Sequence, residues 1–195
     1  MKIPHSIPLA SLIIALLLSC AAAEAGRRPR TGTPKPQPKV EAASLEKKVH
    51  ALINRERKKH GLPLLEWNDA LAVIARRHSR DMAARGYFSH TSPEGRDFLY
   101  RYEQGRYRCE VAVGRTIHQG AENIAQNNLF DSMTIVNGVA SYDWNSEDEI
   151  AETTVAGWMK STGHRKNSLT PHWGREGIGV AITPEGKVYI TQNFC

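Results

Sequence analysis

Two histidines and one carboxylate, on three separate stretches, are the side chains of this chain best suited to chemistry. They lie in Phe88-Ser89-His90-Thr91, Gly120-Ala121-Glu122-Asn123-Ile124 and Gly163-His164-Arg165. Two imidazoles and a carboxylate match a site for zinc or another divalent cation with an open fourth position. A water bound there would be a hydrolytic nucleophile, with Glu122 as ligand or as base. The set is thin, because zinc enzymes usually supply three protein ligands and no His-Glu-x-x-His spacing groups these residues locally. A metal-free alternative has no orienting group: Ser89, Ser161 and Thr162 lie near histidines in sequence, but no Asp completes a triad. Taken alone, the three also fit a loop histidine, a capping glutamate and a helix-end histidine serving free carbonyls.

The elements that must position them are legible in outline. Ile150, Val155, Trp158 and Met159 share a helical face leading to His164, and Gly163 is read as the exit from that helix because glycine takes positive φ freely. An earlier helix starts with Ser44 as its N-cap, carries Leu45, Val49, Leu52 and Ile53, and ends at Gly61 and Pro63. Asn68 caps a second, which puts Leu71, Ala75, His78 and Met82 on one face before Gly86 stops it. His78 reads as a packed, hydrogen-bonded histidine, with a place in a cavity as the alternative. A loop over 87–96 follows, then a short helix from Asp97. Arg and Tyr interleave over 100–108, which we read as a solvated helix face rather than an RNA contact. Residues 111–117 read as extended, and Asn137-Gly138 marks a surface hairpin within 126–148. Strands over 177–183 and 187–194, joined by Pro184-Glu185-Gly186, complete an α+β arrangement of helices on a mainly antiparallel sheet.

At 195 residues the chain holds one domain plus a leader and a linker. Residues 1–19 read as a signal peptide, since the apolar run over 9–18 is too short to span a membrane. Leu17-Leu18-Ser19-Cys20 resembles a lipobox, which would make Cys20 an acylated N-terminus; cleavage after Ala23-Glu24-Ala25 is the alternative. A Pro-rich basic linker spans 20–41 and the domain spans 42–195. Of the net charge of +6 only one falls in the domain, because 20 basic and 19 acidic residues lie from Glu41 onward. The domain therefore carries no electrostatic case for a nucleic-acid partner, whereas lipid plus a basic tail would supply two membrane signals. Beyond Cys20 only Cys109 and Cys195 remain, and an even pair in an exported chain implies a disulfide. Closing so long a loop is worth about 3–5 kcal/mol.

Seven segments occur in series: Leu62-Pro63-Leu64-Leu65-Glu66-Trp67-Asn68, Phe88-Ser89-His90, Ala121-Glu122-Asn123-Ile124-Ala125, Gly157-Trp158-Met159, Gly163-His164-Arg165, Gly177-Ile178-Gly179-Val180-Ala181 and Thr191-Gln192-Asn193-Phe194. In that order they resemble the CAP superfamily (cysteine-rich secretory proteins, antigen 5, pathogenesis-related 1 proteins; the SCP-like extracellular domain), in its bacterial and archaeal secreted branch. The resemblance covers about 44–195. It implies a three-layer α-β-α sandwich and an open cavity lined by two histidines and two acids. His90 matches the first histidine, Glu122 the first acid and His164 the second histidine. The second acid would fall at Ser161, a departure shared with that branch, and Glu152 is nine residues earlier on the opposite side of the helix. Ala121 stands where the family often has glycine. Residues 126–148 exceed the family core and are placed to cover one cavity rim. The family is described mostly by binding and signalling, so the resemblance favours an exported, non-enzymatic domain. Its cavity of His90, Glu122, Ser161 and His164 would take a lipid, a glycan or a surface protein, with zinc or another divalent cation on His90, His164 and Glu122. The alternatives are a metal-dependent hydrolase of peptides or cell-wall material, and a structural surface protein.

Overall fold

The computed structural model describes residues 36–195. The expected signal peptide over 1–19, the Cys20 lipobox, the Ala25 site and most of the 20–41 linker lie outside them. Five helices are present among the described residues: α1 (Ala42–Lys59), α2 (Asp69–Arg85), α3 (Phe98–Gln104), α4 (Glu147–Lys160) and α5 (Thr162–Ser168). The strands are β1 (Glu66–Trp67), β2 (Val111–Val113), β3 (Thr116–His118), β4 (Ala121–Asn128), β5 (Phe130–Val136), β6 (Val139–Trp144), β7 (Arg175–Ile182) and β8 (Lys187–Phe194). The central sheet runs β1-β7-β8-β4, antiparallel except for the parallel β1–β7 pair.

Alternation along the strands assigns the layers. Ile178, Val180, Val188, Ile190 and Phe194 face Leu45, Val49 and Ile53 of α1 and Ile150, Val155 and Trp158 of α4 in one core. The opposite face takes α2, where Met82 meets Tyr189 and Ile124. There the Ser79 hydroxyl donates to Gly179 O and the Thr191 hydroxyl, both at 2.8 Å. Residues 177 and 179 point at that helix. A Cβ on Gly177 would stand 2.1 Å from Ala72 N, and one on Gly179 would stand 2.0 Å from Arg76 N. Two α-carbons without side chains thus let α2 lie directly on β7. The result is the expected α+β, three-layer α-β-α sandwich.

The caps follow the sequence at most ends. Asn68 accepts from Leu71 N at 3.0 Å, Asp97 accepts from Tyr100 N at 3.0 Å, and Gly86 closes α2 at φ 69°. Ser146 and Glu149 form a capping box on α4. Three expectations need correction. Helix α1 begins before Ser44, with Glu41 at the cap position, and the Ser44 hydroxyl instead donates to Glu147 on α4 at 2.5 Å. Gly163 lies inside α5, and the break after α4 falls at Ser161, whose ψ of 124° is extended. Residues 111–117 are extended as expected and form most of a β2–β3 hairpin turned at Gly114 (φ 60°), a left-handed position that glycine fills without strain. The β5–β6 hairpin does turn at Asn137-Gly138, both at positive φ. It leaves β4 beside Gly186, however, at the opposite end of the sheet from Glu122, so it does not cover that site.

Buried polar groups lock the helices in place. Arg57 is fully buried and donates to the carbonyls of Pro63 (2.8 Å), Ser168 (2.8 Å), Thr170 (2.9 Å) and Trp173 (3.3 Å), tying α1 to the segment that follows α5. Glu46 takes Arg76 in a two-point pair and accepts from Val180 N at 3.1 Å, joining α1, α2 and β7. The Cys109–Cys195 disulfide is formed, with Cα atoms 5.6 Å apart.

Two outcomes follow for stability. Gly179→Ala drives a methyl group into α2 backbone and should cost about 3 kcal/mol or more in urea unfolding, overpacking at its upper range; a loss under about 1 kcal/mol would contradict the close approach. In denaturant without reductant, thiol labelling should reach no cysteine except Cys20, and Cys195→Ser should destabilise by about 3–5 kcal/mol. Labelling of Cys109 would refute the bridge.

Candidate functional site

Glu122 sits near the start of β4, the outermost strand of the sheet, with 1 % of its side chain exposed. A carboxylate so placed needs partners, and it has them. Oε1 accepts from His90 Nδ1 at 2.9 Å, and Oε2 accepts from Arg101 Nη2 at 2.7 Å. His78 Nε2 stands 3.9 Å from Oε1. His90 arrives on the loop after α2, Arg101 from α3 and His78 from the buried face of α2.

His164 reaches the site from α5, in the other helical layer. Its ring centroid is 6.0 Å from that of His90. The neighbouring residue of β4 holds it there: Asn123, facing away from Glu122, donates to His164 O (3.2 Å), the Ser168 hydroxyl (3.0 Å) and Gln192 Oε1 (3.0 Å). Asn167 Nδ2 donates to Glu122 O (3.1 Å) and to Asn123 Oδ1 (3.0 Å). Trp158 Nε1 adds a bond to Ile124 O at 2.9 Å, fixing α4 to the same strand. Successive residues of β4 therefore bind the two imidazole-bearing elements from opposite faces.

The structure brings His90, Glu122 and His164 together. Ser161 stands one turn before His164 at the α4–α5 break, half-buried, and its hydroxyl makes no hydrogen bond among the described residues. Arg101 is the partner that sequence reasoning missed. It lies in the stretch read as a solvated face, yet only 13 % of its side chain is exposed and it also donates to the carbonyls of His90 (2.9 Å) and Arg96 (3.0 Å). His78 is the packed histidine expected, with Nε2 3.1 Å from Ser89 O, and it also forms a wall behind Glu122.

A cation at this site would find two imidazoles. His90 Nδ1 is committed to Glu122, which leaves Nε2, and the ring of His164 has no hydrogen bond among the described residues. Both Glu122 oxygens are engaged, so the carboxylate fits the outer shell, orienting His90 as ligating histidines are commonly oriented. Among the described residues no three His, Cys, Asp or Glu side chains are grouped to hold a metal. Two imidazoles alone would leave the other positions of a divalent cation to solvent or ligand.

Protonation adds a constraint. Burial pushes the His78 imidazole below its ordinary 6.5, with the Glu122 charge opposing and the Arg101 charge assisting. Burial, and then His90, likewise hold His164 below 6.5. Imidazoles with depressed folded-state pKa values are neutral in the native protein, while the unfolded chain takes up protons first as pH falls. Stability is thus fully present above pH 6.5 and declines as pH drops toward the folded values. The urea midpoint should fall between pH 7 and about pH 5, and His78→Gln, which keeps a donor for Ser89 O, should flatten that fall. An unchanged slope in the variant would contradict a neutral His78.

The comparisons with known proteins bear on the fold and the family. The model of the CAP cysteine-rich secretory protein family matches residues 50–194. The membrane protein YlbC of Bacillus subtilis is 35 % identical over 156 residues, covering 80 % of this chain and 35 % of its own length. YkwD of the same organism is 31 % identical over 152 residues, covering 78 % and 47 %. This chain therefore spans less than half the length of either relative. An extracellular SCP-domain protein of Bacillus anthracis superposes with a TM-score of 0.54 at 29 % identity, covering 78 % of this chain and 40 % of the other. An outer surface protein of Borrelia burgdorferi, at 16 % identity and a TM-score of 0.57, shares the fold over 82 % of this chain and 97 % of its own. With the family model matched across nearly all of the folded residues, the chain belongs to the CAP, or cysteine-rich secretory protein, family.

Proposed function

We propose that the chain is an exported CAP-domain protein that binds a ligand at the His90–His164 site rather than turning one over, and that a divalent cation such as zinc binds there. The observation that carries this reading is the double engagement of Glu122. With Oε1 accepting from His90, Oε2 from Arg101 and only 1 % of the side chain exposed, the carboxylate is placed to orient His90 rather than to meet a bound water. The rings of His90 and His164, 6.0 Å apart, are close to the spacing of about 5 Å that two imidazoles adopt on one tetrahedral ion. Such a cation would supply a positive anchor for the oxygens of a lipid headgroup, a glycan or a partner protein, and His90 and His164 would hold it.

Export is supported by the Cys109–Cys195 bridge, since disulfides persist in oxidising compartments, and by the extracellular relative from Bacillus anthracis. No helix among the described residues is long and apolar enough to cross a membrane. Acylation at Cys20, with the basic tail that follows, would hold the domain at a membrane surface.

Calorimetric zinc titration of the full chain should show one site, weakened at least tenfold by His90→Ala and by His164→Ala with circular dichroism unchanged. Ser161→Ala should leave the affinity within a few-fold. Zinc binding indifferent to both histidines would refute the site. Turnover of peptide or cell-wall substrates that disappears in Glu122→Gln would replace binding with hydrolysis.

A further inference from the structure

A second pocket of about 270 Å³ opens between α2, the loop that follows it and α3, behind Arg101 and His78. Its walls include four arginines, Arg77, Arg85, Arg96 and Arg101, against two carboxylates, Asp81 and Glu94. The acids are already used. Arg85 pairs with both, the Tyr87 hydroxyl donates to Asp81, and the Ser92 hydroxyl donates to Glu94 at 2.9 Å. Arg101 is paired with Glu122, yet its buried Nε has no hydrogen-bond partner. Arg77 and Arg96 have no carboxylate partner among the described residues, and the Arg96 guanidinium rests 4.8 Å from the Tyr100 ring centroid. Even with Glu122 counted against Arg101, the lining keeps one excess positive charge.

We infer that this pocket binds a small phosphate or sulfate ester, with Arg77 and Arg96 as its charge partners and Arg101 at its inner wall. Guanidinium groups present several N–H donors in a planar fork that matches a tetrahedral oxyanion, and they stay charged at every relevant pH. The volume lies just below the usual range of about 300–1,000 Å³ for small-molecule pockets, which suits a ligand of sugar-phosphate size. The cation–π contact with Tyr100 favours the Arg96 guanidinium lying at the pocket mouth, which reduces the ordering cost on binding. The pocket shares Arg101 and His78 with the surroundings of Glu122 but does not depend on a metal at the His90–His164 pair.

The test is calorimetry of the full chain at low salt with glucose 6-phosphate, glucose 6-sulfate, inorganic phosphate and glucose. Arg77 and Arg96 are both exposed, so Arg77→Gln/Arg96→Gln should fold normally by circular dichroism. The esters should bind in the millimolar range or tighter, weaken as salt rises, and lose at least tenfold in the double variant, while Arg77→Lys/Arg96→Lys keeps part of the affinity. Esters binding more tightly than inorganic phosphate would support the inference, whereas inorganic phosphate matching them would reassign the pocket to a free oxyanion and overturn the ester assignment. No heat from any anion up to about 10 mM, equal binding of glucose, or an unaffected double variant would overturn it.

Discussion

Helix α2 can lie on β7 only because residues 177 and 179 have no side chains. Any Cβ at either position would meet helix backbone at about 2 Å, well inside contact distance. Much of the site follows from that approach. It buries His78 against the sheet and fixes where Gly86 ends the helix. The loop leaving Gly86 then carries His90 to the outermost strand. Glu46 reinforces the approach by pairing with Arg76 of α2 while accepting from Val180 N. Loosening the helix by even a methyl group would move the first imidazole away from the carboxylate that orients it.

The buried charge of Glu122 is the second constraint. An isolated carboxylate at that depth would be too costly to keep ionised, and the fold answers with a guanidinium and an imidazole N–H. The same compensation decides what the site can do. A carboxylate buried against the sheet and bonded to His90 Nδ1 is placed to fix that ring's orientation. Arg101 also donates to the carbonyl of His90, so one side chain clamps both members of the pair. On the opposite face of β4, Asn123 and Asn167 perform the matching task for His164. The two imidazoles are thus held at the edge of the sheet by separate sets of hydrogen bonds, one on each face of β4.

Much of this was legible in the residues. Asn68, Gly86 and Asp97 mark helix ends because their side chains or left-handed backbone act locally, and Asn137-Gly138 fixes its hairpin for the same reason. The ordered motifs around His90, Glu122 and His164 named the three groups that the fold assembles. Arg101 was hidden because α3 is only seven residues long, too short for periodicity to separate a buried face from a solvated one. The break at Ser161 was misplaced onto Gly163 because a serine in extended conformation leaves no sign as strong as a glycine. The hairpin's location depended on which end of β4 it leaves, and strand register across the sheet decides that.

The central claim is that His90 and His164, remote in sequence, act as one pair with Glu122 fixing the tautomer of the first. Nitrogen-15 NMR of the histidine rings, recorded with and without one equivalent of zinc, addresses it directly. The account predicts His90 as the Nδ1–H tautomer before zinc is added. On addition, its Nε2 resonance and one ring nitrogen of His164 should shift together, both saturating at a single equivalent. An Nε2–H tautomer at His90, or shifts at one histidine without the other, would contradict it.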